Sequence, residues 1–511
     1  MTLYDQIRAE KLIKLARERF DPNLLYAEVK VLRDSSSSAP LAIPPEIGPR
    51  PQVRPSLVRW LVTDPEARSC IDAQGLRVMG CTITGHLNLT ECRNLPSLWL
   101  LRCEIKGMVS LQAVETSGIY FMYSSIEGGI SAARIVVRGP IYLTGLRSPK
   151  EIRLLGAKID SQLVLTGAKL IQQDTAARSD GMLVLDGAKI GDDVLLNEEF
   201  ECTGPLRLPG SSITGQLNFI GATVDAVYCN DLQLDGELLW CGVSKTENTE
   251  LSLTGANIRV LSDDQDSWPE QEKLNLLGLV YEDLILHAKQ TEEQQLNNWH
   301  GASLPLNASQ RVEWLKRQKS EIRIHPQPWM QLRNHLEIKG DKSGAKHVIY
   351  KLSCLRAGLL KWHPNRTAAI AFAWLEERPS RILYSIALTL LLGTLIFAGA
   401  GPNRSGAMVP TAKDSAGRPI SGAALAYYPR YEPFVYTLDN ALPLVKLGMD
   451  DKWTPDPNHG GDGWFPEYRW LDWLGWFNSY WFLTVSRWLL ILSGWFQAAV
   501  LGAALTSRFK S

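Results

Sequence analysis

Two long apolar segments stand out in the pattern of hydrophobic and polar positions along the chain. Residues 382–400 and 488–506 each form a run of nineteen residues without a charge. A helix of that length crosses a hydrocarbon core of about 30 Å at about 1.5 Å per residue. Because neither segment has the polar face of a surface helix, the pattern predicts two transmembrane helices.

Aliphatic and polar residues alternate with a period of two in a different region, from about residue 76 to residue 282. Segments such as LRVMGCTITGHLNL from Leu76, LWLLRCEIKGMVSL from Leu98 and IRLLGAKIDSQLVL from Ile152 alternate aliphatic and polar positions, which indicates β-strands. The motif returns about every 22 residues, with glycine at fixed offsets. Such a repeat predicts a mainly β fold, a right-handed parallel β-helix in which each coil stacks on its neighbours.

The cysteines follow the same repeat. Cys70, Cys81, Cys92 and Cys103 are spaced by half a coil, and Cys81 and Cys103 stand where later GA-x-I copies have alanine. We therefore expect small inward-facing residues that pack in ladders. A zinc site or a redox relay is the alternative, and it lacks the usual paired ligand spacing. A chain of this length needs no disulfides, so we predict free thiols in a reducing compartment.

Helical patterns flank the repeats. Residues 2–20 predict a short amphipathic helix with Ile7, Leu12, Leu15 and Ala16 on one face, which either caps the solenoid or lies on a membrane surface. The sequence PQPWMQLRNHLEIKGDKSGAKHVIYK predicts a helical hairpin that turns at Gly-Asp-Lys. Its expected role is to cover the unpaired strand edges at the other end of the solenoid.

These patterns predict a chain of eight successive segments. They are an N-terminal helical cap (1–33), a Ser/Pro linker (34–58), the β-helix (59–290), a helical hairpin and connector (291–380), transmembrane helix 1 (381–401), an extracytoplasmic loop (402–487), transmembrane helix 2 (488–506) and a cytoplasmic tail (507–511).

Composition and motifs exclude several function classes. Lys+Arg and Asp+Glu both number 54, so we expect no nucleic-acid partner. The N-terminus has no apolar signal-peptide core, which places the large N-terminal part in the cytoplasm. The sequence has no GxGxxG opening a βαβ unit, no CxxC pair and no haem motif. We therefore predict no catalytic residue, no cofactor and no metal site.

Four features in one order carry a resemblance to a known family: the GA-x-I-x-G-x-L-x-L coils, the PQPWMQLRNHLEIKGDKSGAKHVIYK hairpin, the basic residues before the first apolar segment, and the segment YEPFVYTLDNALPLVKLGMDDKW. Residues 56–506 resemble bacterial membrane proteins with pentapeptide-like β-helical repeats, many of which are labelled "membrane-associated oxidoreductase" or "pentapeptide repeat-containing protein". The resemblance implies a β-helix fixed to the bacterial inner membrane. It supplies no catalytic residues, and the motifs give the oxidoreductase label no support.

The distribution of basic residues predicts the orientation in the membrane. Residues 361–381 hold four Lys/Arg and the tail adds Arg508 and Lys510, whereas residues 402–480 hold seven Lys/Arg against nine Asp/Glu. The positive-inside rule then places both termini and the β-helix in the cytoplasm.

The loop between the apolar segments holds candidate pore residues. Residues 434–448 are apolar but too short to cross, which predicts a re-entrant or interfacial helix. Span, short helix and span is also the order of two-helix cation channels, although a TVGYG-type filter is absent. Thr437, Asp439 and Asn440 could supply polar groups to a pore mouth, and Asp450 and Asp451 a negative ring. The alternative is that Asp439 caps or pairs locally.

Two further sets of residues predict contacts of the membrane segments. Candidate interfacial anchors are tryptophans, namely Trp464, Trp470, Trp473, Trp476 and Trp481. Small residues at four-residue spacing predict close helix packing, and they are Ser385, Thr389, Gly393, Gly494, Ala498 and Gly502. Packing of the two segments within one chain explains one such stripe, so two stripes leave room for a homo-oligomer.

Three functions follow as hypotheses. The first is a cytoplasmic β-helical sensor or docking module that binds a protein partner and passes this binding to the membrane, for instance by opening a pore. The second is a passive scaffold that recruits proteins to the membrane. The third is an enzyme, which would need titratable residues from distant coils to line one face.

Overall fold

The computed structural model describes residues 3–38, 50–172, 181–286, 307–358, 381–415, 417–442, 446–460 and 477–509. The chain divides into two compact units, Met1–Leu352 and Ser353–Ser511, which are described separately. The helices in chain order are α1 (Leu3–Arg19), α2 (Tyr26–Ser36), α3 (Pro55–Thr63), α4 (Pro65–Ser69), α5 (Ala308–Lys316), α6 (Ser320–Arg323), α7 (Pro326–Ile338), α8 (Lys342–Gly358), α9 (Arg381–Gly399), α10 (Pro433–Ala441) and α11 (Tyr480–Phe509).

The first unit is a parallel β-solenoid of about nine turns with about 22 residues per coil. Short strands of successive coils pair in parallel and form four columns. The first column contains Leu76–Met79, Leu98–Leu101, Ile119–Tyr120, Ile141–Tyr142, Leu163–Val164, Val194–Leu195 and Leu217–Asn218. The second contains Gln52–Val53, Thr82–Ile83, Glu104–Ile105, Ser125–Ile126, Arg147–Ser148, Lys169–Ile171 and Glu201–Thr203.

The other two columns complete each coil. The third contains Leu87–Asn88, Val109–Ser110, Ile130–Ser131, Ile152–Arg153, Leu183–Val184, Leu206–Arg207 and Leu274–Asn275. The fourth contains Glu115–Thr116, Val136–Val137, Lys158–Ile159, Lys189–Ile190 and Ser212–Ile213. Longer strands in the last coils serve two neighbouring columns, and they are Thr223–Tyr228, Gln233–Trp240, Ser244–Ser252, Asn257–Asp263 and Val280–Leu286.

The predicted alternation places the core inside the coils. Leu98 and Leu100 are buried, whereas Trp99 between them is half-buried. Burial of each such aliphatic side chain contributes about 1.5–3 kcal/mol. The Gly-Ala pair recurs for a local conformational reason. Gly156 has a φ of +60°, a conformation that glycine adopts without strain. The turn then directs the small side chain of Ala157 into the core.

The inward packing predicted for the cysteines is confirmed at Cys70, Cys81 and Cys103, whereas Cys92 is half-buried. Cys81 and Cys103 are buried, and all eight cysteines are free thiols. Burial raises the pKa of the Cys103 thiol to about 12, so it stays protonated near neutral pH. Cys81 and Cys103 therefore serve as small side chains of the solenoid core.

Helices α1 and α2 pack on the first coil. The Ser35 hydroxyl in α2 donates to the Arg77 carbonyl at 3.3 Å and accepts from the Arg77 backbone N–H at 3.1 Å. Leu12 in α1 is buried as predicted, but Ile7 is 57% exposed, so its predicted place on the buried face is wrong. The buried face of α1 passes through Asp5 and Ala9 instead, and Ile7 lies on the opposite side of the helix.

The predicted linker, residues 34–58, contains ordered elements. Helix α2 continues to Ser36, Gln52–Val53 pairs in parallel with Thr82–Ile83, and α3 begins at Pro55. Residues 39–49 lie outside the described residues. The segment thus adds a strand to the second column, which its Ser/Pro composition did not indicate.

Helix α7 covers the edge of the last coil with side chains one turn apart. The Gln327 amide accepts from the Gly278 N–H at 2.8 Å and donates to the Leu279 carbonyl at 2.9 Å. Gln331 donates to the Tyr281 carbonyl at 2.9 Å. The next side chain in this row, His335, lies 3.2 Å from the Glu282 carbonyl. Backbone groups that have no further coil to pair with are satisfied in this way.

The second unit contains α9, α10, α11 and an antiparallel pair of strands, Met408–Pro410 and Trp453–Pro455. Among the described residues, α9 is the one helix long and apolar enough to cross a membrane, as judged by length and composition. It coincides with the first predicted span. Helix α11 begins at Tyr480 rather than at residue 488, and the second span stays a prediction.

Candidate functional site

Helices α9 and α11 run antiparallel, and α10 packs against both. Gly393 of α9 lies beside Leu490 of α11, while Gln497 further along α11 reaches back towards the start of α9. The aromatic rings of Phe397 and Tyr436 lie 4.8 Å apart and join α9 to α10. Together these contacts form a three-helix arrangement within the second unit.

Two glycines permit the close approach of α10. A Cβ atom at Gly393 would lie 2.6 Å from Cγ2 of Thr437, and one at Gly494 would lie 1.9 Å from the Ala441 carbonyl oxygen. Thr437, a candidate pore residue, is therefore buried against α9. Its neighbours show that α10 enters near the end of α9 and runs towards the middle of both long helices.

After α10 the chain returns along the same helix. Leu447, Met449 and Asp450 lie beside Asp439, and Trp453 then packs on Tyr431 with ring centroids 5.2 Å apart. The strand Trp453–Pro455 pairs with Met408–Pro410, the segment that follows α9. We call α10 and the described returning residues 446–455 the α10 hairpin.

Asp439 fastens the returning segment to α10. Its carboxylate accepts backbone N–H groups from Leu447 at 2.6 Å, from Met449 at 2.7 Å and from Asp450 at 2.9 Å. Burial opposes ionisation of Asp439, but the N–H groups of Asp450, Leu447 and Met449 outweigh it and lower the pKa of this carboxyl. The local role that the sequence left as an alternative is the arrangement that the structure contains.

Arg487 connects the hairpin to α11, and the sequence analysis did not include it among the candidate site residues. Its Nε donates to Oδ1 of Asn440 at 2.8 Å, and its Nη2 lies 3.5 Å from Oδ2 of Asp450. Asn440 in turn donates to the Tyr436 carbonyl at 2.8 Å. The available signal was the position of Arg487 at the head of an apolar segment, where an arginine needs a polar partner.

The two candidate residues of a negative ring have different surroundings. Asp451 is exposed, whereas Asp450 lies next to Asp439 and is half-buried. Burial and the adjacent Asp439 carboxyl raise the pKa of Asp450, although Arg487 acts in the opposite direction. We call Asp439, Asn440, Asp450 and Arg487 the polar cluster.

Most of the predicted packing residues make contacts within the chain. The Gln497 amide donates to Oγ of Ser385 at 3.1 Å and to Oγ1 of Thr389 at 2.9 Å. Ala498 is half-buried, and a Cβ atom at Gly502 would meet nothing within 4 Å. Because one chain accounts for contacts of both stripes, they give no separate support for a homo-oligomer, which stays a prediction.

The predicted membrane anchors are mostly not described. Trp464, Trp470, Trp473 and Trp476 lie outside the described residues, and Trp481 at the start of α11 is 69% exposed. In the part of the chain that the structure describes, no three His, Cys, Asp or Glu side chains are grouped so that they could hold a metal ion.

Comparison of the chain with models of protein families, with curated proteins and with solved structures finds no match.

Proposed function

We propose that this chain is a membrane-anchored docking protein whose β-solenoid binds a protein partner. The observation that carries this role is the outward face of the first column. Trp99, Tyr120 and Tyr142 occupy it on three successive coils, with ring centroids 3.6 and 5.6 Å apart. In the second column the same coils carry polar residues, namely Glu104, Ser125 and Arg147.

The apolar character of this face continues in register. Val164 follows Tyr142, and Leu195 follows Val164. We call Trp99, Tyr120 and Tyr142 the aromatic stripe; Val164, which is only 5% exposed, and the half-buried Leu195 continue its register. Aromatic residues with a polar edge are enriched in protein interfaces. The indole of Trp99 donates to the Gln74 carbonyl at 2.7 Å, which fixes the orientation of this ring. Since helices cover both ends of the solenoid, its sides are the surfaces left for a partner.

Anchoring in a lipid membrane is supported by the outward faces of the long helices. Leu383 of α9 is 64% exposed and Leu492 of α11 is equally exposed. Other large apolar residues share these faces, and they are Leu388, Leu391, Leu392, Leu395, Trp488, Leu489, Trp495 and Phe496. Apolar surface of this extent is typical of membrane contact. We propose two spans, with both termini on the cytoplasmic side of a bacterial inner membrane, as the basic flanks and the family resemblance imply.

Site-specific photocrosslinking tests the docking role. A photoreactive amino acid replaces Tyr120 in the aromatic stripe, and the matched control carries it at Ser125 in the second column of the same coil. We expect a discrete protein adduct from position 120 that is absent from position 125. The same adducts from both positions, or none from position 120 while the protein is folded, would contradict the proposal.

Alkaline carbonate extraction tests the anchor separately. An integral two-span protein stays in the membrane pellet, whereas a peripheral protein is released. Release of the full chain into the supernatant would refute the anchor and leave the docking role of the aromatic stripe to stand on the crosslinking result.

A gated pore is a second candidate function, and the α10 hairpin favours it. Non-helical backbone at membrane depth needs internal hydrogen-bond partners, and Asp439 supplies three of them to the returning segment. The contacts of Thr437, Asp439 and Asn440 within their own chain are equally compatible with an anchor that does not conduct. Ion flux from liposomes decides between the two: flux that Asp439→Asn alters supports a pore, and tight liposomes with correctly inserted protein support the anchor.

A further inference from the structure

The contact between Asp439 and Asp450 brings two carboxyl groups together away from solvent. Asp439 is 7% exposed, and Oδ1 of Asp450 is buried with no hydrogen-bond donor among the described residues. The Asp450 backbone N–H donates to Oδ2 of Asp439 at 2.9 Å, which holds residue 450 beside the Asp439 carboxyl. Two ionised carboxylates repel at such a distance, so their contact is attractive only with a proton between them.

The hydrogen bonds decide which carboxyl keeps its negative charge. Three backbone N–H groups point at Asp439 and can donate only to an acceptor, so this carboxyl is held ionised. Asp450 receives no comparable donor and has only the Arg487 guanidinium at 3.5 Å. The proton of the pair therefore belongs on Asp450, whose O–H can donate to Asp439.

We propose that Asp439 and Asp450 bind one proton between them, and that this shared proton fastens the returning segment, residues 446–450, to α10. Loss of the proton leaves two adjacent negative charges and releases the segment. The α10 hairpin would then exist in a closed, protonated state and in an open, deprotonated state. The inference concerns the hairpin alone and holds whether the second unit anchors or conducts.

The charged groups around the pair are consistent with binding one proton. Arg487 approaches from α11, Tyr436 from α10 and Asp451 from the returning segment. Helix α9 carries ionisable residues only at Arg381 and Tyr384, in its first turn. Two carboxylates face one guanidinium, so protonation of one carboxyl leaves a single negative charge opposite Arg487, and the nearby Asp451 carboxylate further favours this proton.

The sign of the pH dependence follows from the two groups. The pKa of Asp450 is raised, so the stabilisation that needs its proton is complete at low pH and is lost as pH rises through that value. The pKa of Asp439 is lowered, so its contribution is lost only at strongly acidic pH. The hairpin is therefore most firmly closed between these two ionisations.

Hydrogen exchange of the full-length protein in lipid nanodiscs tests the proposal. The protection of the peptide that contains residues 447–450, corrected for the intrinsic exchange rate, is measured from about pH 4 to about pH 8. We expect protection to fall by about tenfold or more as pH rises. Asp450→Asn mimics the protonated side chain and should keep high protection at every pH.

Two variants keep the experiment interpretable. Asp451→Asn removes a neighbouring, exposed carboxylate and should retain the pH dependence of the native protein. Asp439→Asn removes the charged acceptor and should lower protection at all pH values, with unchanged exchange in the solenoid as evidence of folding. Native protection that does not change with pH, or a pH dependence that persists in Asp450→Asn, would overturn the proposal.

Discussion

Arg311 and Asp263 form a bidentate ion pair that joins helix α5 to the end of the solenoid. Nη1 and Nη2 of Arg311 lie 2.7 and 2.8 Å from the two carboxylate oxygens of Asp263, and both side chains are buried. The indole of Trp268 donates to the same carboxylate at 2.8 Å. Helix α5 is thereby attached to the last coils through one fully partnered pair of charges.

Removing the arginine should loosen this end of the solenoid. Arg311→Ala leaves the Asp263 carboxylate buried without its cation, which costs about 3–5 kcal/mol. We expect faster proteolysis after α5 and a lower unfolding midpoint of the full-length protein. Arg333→Ala, which removes an exposed pair with Glu337, serves as the control and should change stability little. Equal effects of the two substitutions would contradict the role of the buried pair.

Gly494 should tolerate no side chain, whereas Gly502 on the same helix should. A Cβ atom at Gly494 would lie 1.9 Å from the Ala441 carbonyl oxygen, but one at Gly502 has open space. Gly494→Ala should therefore push α10 away from α11 and destabilise the second unit by about 1–3 kcal/mol. Thermal unfolding in detergent compares it with Gly502→Ala, and indistinguishable midpoints would show that α10 does not pack on α11.

The buried thiols should resist alkylation in the folded protein. Burial raises the pKa of Cys103 and of Cys229 to about 12, so at about pH 8 neither forms the reactive thiolate, and neither is accessible. Cys92 and Cys354 are half-buried and should react first with an alkylating reagent. Mass spectrometry with and without denaturant gives the order of labelling. Early modification of Cys103 under native conditions would disagree with the solenoid core.

Acid should loosen the cover of the last coil through His335. Burial lowers the pKa of this imidazole, and Lys339 and Arg311 act in the same direction against the Asp283 carboxylate. A lowered pKa means that the folded state binds the proton more weakly, so stability is lost as pH falls below 6.5, the ordinary histidine value. Hydrogen exchange of α7 at several pH values measures the effect. His335→Gln should reduce this pH dependence, and an unchanged profile would assign it to other groups.

Much of the fold could be predicted because it follows from the periodic pattern of residues that are close together in the chain. Alternation along Leu98, Trp99 and Leu100 decides which residues face the core of a strand, and the recurrence of the motif decides that coils stack. The first apolar segment follows equally from composition, since a run of uncharged residues long enough to form α9 needs no knowledge of its neighbours. Such features depend on residues close together in the chain.

The exposed face of α1 shows where local periodicity was insufficient. Ile7 stands five residues before Leu12, about 140° around the helix, so it faces away from the buried side, which passes through Asp5 and Ala9. Asp5 is paired with Arg8, so its burial has a polar partner that hydrophobic patterning does not reveal. The burial of Asp5 therefore depends on its ionic partner and not on hydrophobic periodicity.

The coils, their inward residues and the apolar helix α9 could be derived from the sequence, because each depends on short-range spacing. The roles of the polar side chains became clear only from their contacts in the folded chain. Arg311 binds Asp263, which lies 48 residues earlier in the chain, and Gln497 donates to Thr389, which lies 108 residues earlier. The Asp439 carboxylate accepts from Leu447, which follows the end of its helix. A charged or polar residue is compatible with a pore, a surface or a buried network until its partners are known, because the free energy of burying it depends on those partners.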